Sequence, residues 1–281
     1  MSVIYEVEHT TTYRYAKPVT FGPHRAMFLP RGNYSGRLLG YSLDINVPAK
    51  VHWVSDTLSN NVAVIDVLEP AQELAITCRF RGEHFGTQGI DNFPLDPRAE
   101  EVPVQYTPDE WTDLAVYLRP HAEDPDGSVA AWAKSFVAGD QDVTSNLLAH
   151  IMNTIRDTFT YRSRDEEGTQ PPGETLRRLG LACRFVSGYL YDSALDGGDV
   201  GMTGSGATHA WLQVYLPGAG WLVYDPTNRL TEGFDLIAVA IARHPGQAIP
   251  LVGSWFGDGS DYLGMEVKVA VRKLGNLPEF G

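Results

Sequence analysis

Residues 208–228 read THAWLQVYLPGAGWLVYDPTN. Two apolar-rich runs, 209–216 and 221–225, flank a Pro217-Gly218-Ala219-Gly220 turn, a pattern that predicts an antiparallel hairpin. A histidine opens it and an aspartate closes it. Side chains alternate faces along a strand, so the register decides whether the two can meet. With Tyr215 opposite Trp221, Asp225 lies opposite Trp211 and diagonal to His209, about 7–8 Å away at the backbone. With Leu216 opposite Trp221, the two residues point to opposite faces. Spacing alone leaves both registers open, and with them a plainer reading: His209 ends a strand and Asp225 starts a turn at Asp-Pro-Thr-Asn. In the first register, a carboxylate on the Nδ1–H of His209 would fix the tautomer and leave Nε2 to take a proton from a nucleophile.

The hairpin sits among other strands. CRFVSGYLY (183–191) precedes it, and LIAVAIA (236–242) and MEVKVAV (265–271) form an expected final pair. Helices come before these strands. Thr107 caps one, with Pro108 in its first turn, Asp109 and Glu110 at its positive end and Pro120 stopping it. Ser128 is expected to cap a second that ends near Gly139. The strongest runs from about Thr144 to Phe159, with Leu147, Leu148, Ile151, Met152, Ile155 and Phe159 on one face. From residue 3 to about 90 the period is two instead, in VIYEVEHTTTYRY, RLLGYSLDINV, VAVIDVL and LAITCRFRG, as in an antiparallel sandwich or open barrel. FPLDPRAEEVPVQYTPDE (93–110) reads as a linker. The expected fold is therefore α+β: an N-terminal antiparallel β domain over residues 1–105, then a core over 106–281 of helices packed on an antiparallel sheet.

Composition narrows the function. A net charge of −13 and a pI near 5.0 argue against nucleic acid or an anionic membrane as partner, and no basic run is longer than Arg177-Arg178,. No apolar run approaches the ~20 residues that span a bilayer. The N-terminus lacks the basic and apolar regions of a signal peptide, so a cytoplasmic location is expected. Two distant cysteines, Cys78 and Cys183, suit neither a disulfide scaffold nor a cysteine-rich metal site,. The eight histidines show no HxH or HxxxH spacing, so neither metal nor cofactor is expected,.

YRSRDEEGTQPPGETL, LGLACRFVSGYLYD, the hairpin itself and LIAVAIARHPGQAIPLVGSWFG together resemble the bacterial transglutaminase-like family, whose core is papain-like. YEVEHTTTYRYAKPV followed by LPR resembles the β domain that precedes that core. The most specific segments are ATHAW and GW…YDPTN. The resemblance implies a Cys-His-Asp triad acting on peptide or protein amides, with His209 as general base and Asp225 as its orienting partner.

The family's cysteine sits at a helix N-terminus, where the dipole lowers the thiol pKa. Here GETL runs through Arg177 and Arg178 straight into LGLACRFVSGYL, so the nucleophile helix is missing between Leu176 and Leu181. The gap is on the order of twenty residues. Cys183 is expected to be a core thiol too far from His209 for proton transfer, and Cys78 a buried structural one. Ser187, Ser205 and Thr208 lie closer but sit in no nucleophile elbow. The glycine-rich 196–209 segment precedes a strand, so it lacks a phosphate-cradling helix start and reads as a flexible rim beside the site. Trp211 and Trp221 read as sheet-packing residues. Without the helix, part of one sheet face should lose its cover, so that either helix 144–159 shifts to fill the space or an apolar patch or cavity remains beside His209. The expected function is a transglutaminase-like protein that keeps His and Asp, lacks the nucleophile and is inactive. The alternative is a non-catalytic peptide- or protein-binding module using the residual cleft. Substrate and oligomeric state are not legible.

Overall fold

The structure, a computed structural model, describes residues 2–137, 143–159, 171–196 and 206–277. It is α+β, with strands β1 (Ser2–Phe21), β2 (His24–Ala26), β3 (Gly36–Ile45), β4 (Ala49–Ser55), β5 (Asn61–Val67) and β6 (Ala71–His84) first. Helices α1 (Pro97–Glu100), α2 (Pro108–Leu118), α3 (Ser128–Ser135), α4 (Thr144–Thr158) and α5 (Pro171–Arg178) follow. Then come β7 (Cys183–Leu190), β8 (Thr208–Leu216), β9 (Gly220–Tyr224), β10 (Leu236–Ala242), β11 (Leu251–Val252), β12 (Trp255–Phe256) and β13 (Tyr262–Leu277).

In the first sheet, β1 is flanked by β6 and β13, with β3 beyond β6 and β12 on the far end of β1. A second sheet runs β11-β2-β5-β4, and the central sheet runs β10-β7-β8-β9. Every pairing of these strands is antiparallel. Glu6 faces Arg81, Glu8 faces Arg79 and Arg14 faces Glu73 across β1 and β6, each pair joined by an ion pair. Opposite charges in directly opposed positions favour this register, though exposed pairs add little stability.

The expected pairing of LIAVAIA with MEVKVAV does not form. β10 is apolar along its length and mostly buried, which suits a sheet covered on both faces, and it pairs with β7,. MEVKVAV lies in β13, which alternates apolar residues with Glu266, Lys268 and Arg272. That pattern suits a half-exposed edge, and β13 returns to β1 along Ser2–Tyr15,. Its Val269 and Val271 pack on a core shared by Val7, Phe28, Ile65 and Ile76 of the sandwich and Tyr189 and Ile237 of the central sheet.

The helices follow their local signals with two differences. Thr107 and Glu110 form a reciprocal capping box at α2, which ends before Pro120,. α3 is capped by Gly127 in the left-handed region (φ 70°), with Ser128 inside the helix, because Asp124 and Asp126 already take the free N–H groups of residues 128–130. Its expected end near Gly139 lies outside the described residues. α5 was not legible as a helix. It starts at Pro171-Pro172, and at its end Gly180 (φ 77°) lets Leu181 N–H reach the Leu176 carbonyl at 3.0 Å,. α4 and α5 cover one face of the central sheet, where Leu147, Leu148, Ile151 and Leu176 pack with Leu212 and Val214. That face is not bare. No helix of the described residues is long and apolar enough to cross a membrane.

Candidate active site

Tyr215 pairs with Trp221 and Leu212 with Tyr224, so Asp225 falls opposite Trp211 and diagonal to His209. The two side chains share a face and meet, with His209 Nε2 at 2.8 Å from Asp225 Oδ2. Both are buried. The nitrogen differs from the expected one. The imidazole plane lies 27° from the indole of Trp211, with the ring centroids 6.0 Å apart. Nε2 is the nitrogen on the carboxylate, which leaves Nδ1 as the one to accept a proton,.

The carboxylate is held from its far side by its own turn. Thr227 N–H donates to Asp225 Oδ1 at 2.9 Å and Asn228 Nδ2 donates to Oδ2 at 3.0 Å. Asp225 and Leu230 also exchange backbone bonds at 2.8 and 3.1 Å. Asp-Pro-Thr-Asn is thus an Asx turn that fixes the carboxylate rather than merely ending a strand. Sequence reasoning had the turn but missed Thr227 and Asn228 as its locking residues, although an Asx turn two residues on was the available signal. Gly188 lies directly opposite His209. A Cβ there would fall 2.1 Å from the Ile237 carbonyl oxygen and 2.7 Å from the Trp211 ring, so only glycine lets Trp211 lie across β7 beside His209,.

The other expected candidates do not join the pair. Cys183 pairs with Val214, five residues along β7 from Gly188, about 16 Å at 3.3 Å per residue,. It is fully buried in the α4–α5 face, and burial pushes its thiol up to about 12. Cys78 sits in β6 inside the sandwich core, its thiol likewise pushed up to about 12 by burial. Ser187 and Thr208 alternate with Gly188 and His209 along their strands and so belong to the opposite face. Ser205 and most of the glycine-rich segment lie outside the described residues. Between α5 and β7 run only residues 179–182. α5 is bolted down by Arg177, which donates to the Cys183 carbonyl at 2.9 Å and to Glu174 Oε1 at 2.8 Å.

Residues 5–83 match the family model described as the bacterial transglutaminase-like N-terminal region, and residues 173–226 match that of the transglutaminase-like superfamily. An uncharacterised protein of Mycobacterium leprae is 26% identical over 283 residues, covering 94% of this chain and 97% of that protein. One from Mycobacterium tuberculosis is 28% identical over 283 residues, with 89% and 86% covered. Among solved structures, a Cytophaga hutchinsonii protein described as a candidate cysteine protease superposes with a TM-score of 0.69 at 17% identity, covering 99% of this chain and 93% of that one. That likeness is one of fold.

Proposed function

We propose that this transglutaminase-like chain has kept the proton-handling half of a Cys-His-Asp amide-transfer site and has no nucleophile to use with it. The observation that carries the reading is the pair of thiols. Both cysteines are buried with raised pKa, and Cys183 stands five strand residues from the position opposite His209. Nucleophilic attack needs a thiolate within about 3 Å of its base, and neither cysteine offers one. His209 Nε2–H on Asp225 leaves Nδ1 as the base of an acyl transfer that nothing begins,.

The reading treats residues 1–105 as the N-terminal β domain, whose sheets β11, β12 and β13 complete, and 106–281 as the core. It places the chain in the cytoplasm, supported by two free thiols,. Recovery of the native protein from a periplasmic fraction would contradict that placement. The partner is a peptide or protein rather than nucleic acid or membrane, supported by the net charge of −13,. A second reading, a binding module that holds peptide without turnover, is favoured by the intact lock of Thr227 and Asn228 on a carboxylate with no reaction to serve.

Native alkylation followed by intact-mass measurement tests the proposal alongside peptide-amide hydrolysis and transamidation assays. Two inert thiols and no turnover are expected. Rapid modification of Cys183 together with Cys183-dependent turnover would sink it.

A further inference from the structure

A cavity of about 50 Å³ lies between the first sheet and the central sheet. Trp211 and Val223 line it from the central sheet, Tyr5 and Phe80 from the first, and Arg31 from the segment between β2 and β3. Trp211 separates it from His209, on which its ring stacks.

The polar atoms around this cavity do not balance. Trp211 is 1% exposed and Tyr5 2%, yet among the described residues neither the indole Nε1–H nor the phenol O–H has a hydrogen-bond partner. Burial holds the Tyr5 hydroxyl protonated, so it too offers a donor. The neighbouring acceptors are already taken. Glu83 accepts from Ser2 Oγ at 2.6 Å and from Arg37 Nε at 2.7 Å. His84 Nδ1 accepts from Gly86 N–H at 2.8 Å, while its Nε2–H donates to the Leu236 carbonyl at 3.0 Å. Gln213 Oε1 accepts from Arg184 Nε at 2.8 Å. The surplus is therefore of donors, and buried donors are rarely left unmatched.

Glu83 is neutralised by Arg37, and Arg31 makes no ion pair among the described residues, although Asp56 acts on Arg31 and Asp235 on Tyr5 through space. Arg31 Nε is spent on the Ser59 carbonyl at 3.0 Å, which fixes the guanidinium at the cavity. Positive charge, two donors and aromatic and aliphatic walls call for a small anion with an apolar body.

We propose that this cavity binds a short-chain carboxylate. Its oxygens accept from Tyr5 and Trp211, its charge faces Arg31, and its methylenes lie against Phe80 and Val223. The space suits a body of about four carbons or fewer. The site does not depend on the reading of His209 and Asp225.

Calorimetric titration of the full chain with butyrate, and with butyramide as its neutral match, tests the site. Saturable butyrate binding is expected, weakened about tenfold or more in Tyr5→Phe and in Arg31→Gln, with butyramide binding poorly. Tyr5→Phe deletes only an unpaired hydroxyl, so its unfolding midpoint should be unchanged or higher, which separates lost binding from lost fold. Absence of saturable binding at millimolar butyrate overturns the proposal. So does butyramide binding as tightly, or a butyrate-soaked crystal in which water alone contacts Tyr5 Oη and Trp211 Nε1.

Discussion

Asp225 has three hydrogen-bond donors converging on one buried carboxylate, so its removal should be felt in stability as well as in the site. Asp225→Ala would strand His209 Nε2–H and Thr227 N–H in a dry environment. We expect a loss of about 2–4 kcal/mol in urea unfolding. An unchanged midpoint would show that the turn holds without its carboxylate. Gly188→Ala tests packing at the same place, because its Cβ meets backbone as well as the Trp211 ring. About 1–3 kcal/mol of destabilisation is expected from overpacking, with a crystal structure showing Trp211 displaced from His209. His9 is one of three buried histidines whose pKa burial lowers, with His24 and His84. Tyr189 Oη donates to the Phe28 carbonyl at 3.3 Å, so it accepts from His9 Nδ1–H at 3.0 Å, and His9 Nε2 accepts from Thr11 Oγ1 at 3.0 Å. Burial lowers its pKa from 6.5 to about 4. Between those values the unfolded chain binds a proton that the folded one refuses. Stability is therefore full above pH 6.5 and falls as the pH drops toward 4, by up to about 3 kcal/mol. Denaturant midpoints at pH 7 and pH 5 should differ less in His9→Gln than in the parent; equal differences would clear His9 of the effect.

The element that most shapes the site is α5, eight residues long and followed by a four-residue connection into β7. Together with α4 it supplies cover that the sequence gap had seemed to remove. Leu176 is fully buried against Leu212 and Val214, and Leu176→Ala should cost about 2–5 kcal/mol by thermal or urea unfolding,. A cost below about 1 kcal/mol would mean that α5 is only loosely seated. The amphipathic face of α4 and the capping box of α2 were legible because both signals are local and strong. α5 was not, because its signals are two prolines and a glycine eight residues later, which in isolation read equally as loop. The β8–β9 hairpin was legible as a hairpin, but its parity was not. A four-residue Pro/Gly turn tolerates either register until neighbouring strands choose one.

At the scale of the molecule, β13 ties the chain's end to its beginning. Truncation after Asp261 would strip β1 of one of its two partners along Ser2–Tyr15 and uncover the apolar residues that Val269 and Val271 protect. The truncated chain should aggregate or lose cooperative unfolding, read by size-exclusion chromatography and a thermal melt. A monomer with the parental midpoint would show β13 to be an ornament on the edge. The sandwich and the central sheet share Tyr189 and Ile237 in one core, so damage on either side should be reported by a single transition,.

Local order determined much of this protein. Period-two runs made the sandwich, a 3.6-residue stripe made α4, and THAW…YDPTN placed a histidine and an aspartate on neighbouring strands. Those signals act between residues close in sequence and need no partner to be read. Three matters were decided only in three dimensions: the parity that joins His209 to Asp225, the use of Nε2 rather than Nδ1, and the return of β13 to β1. Each depends on which strand lies beside which, over separations of up to the full chain length. No local propensity encodes that choice, because it is made by the burial of apolar faces and the pairing of backbone groups in the folded whole.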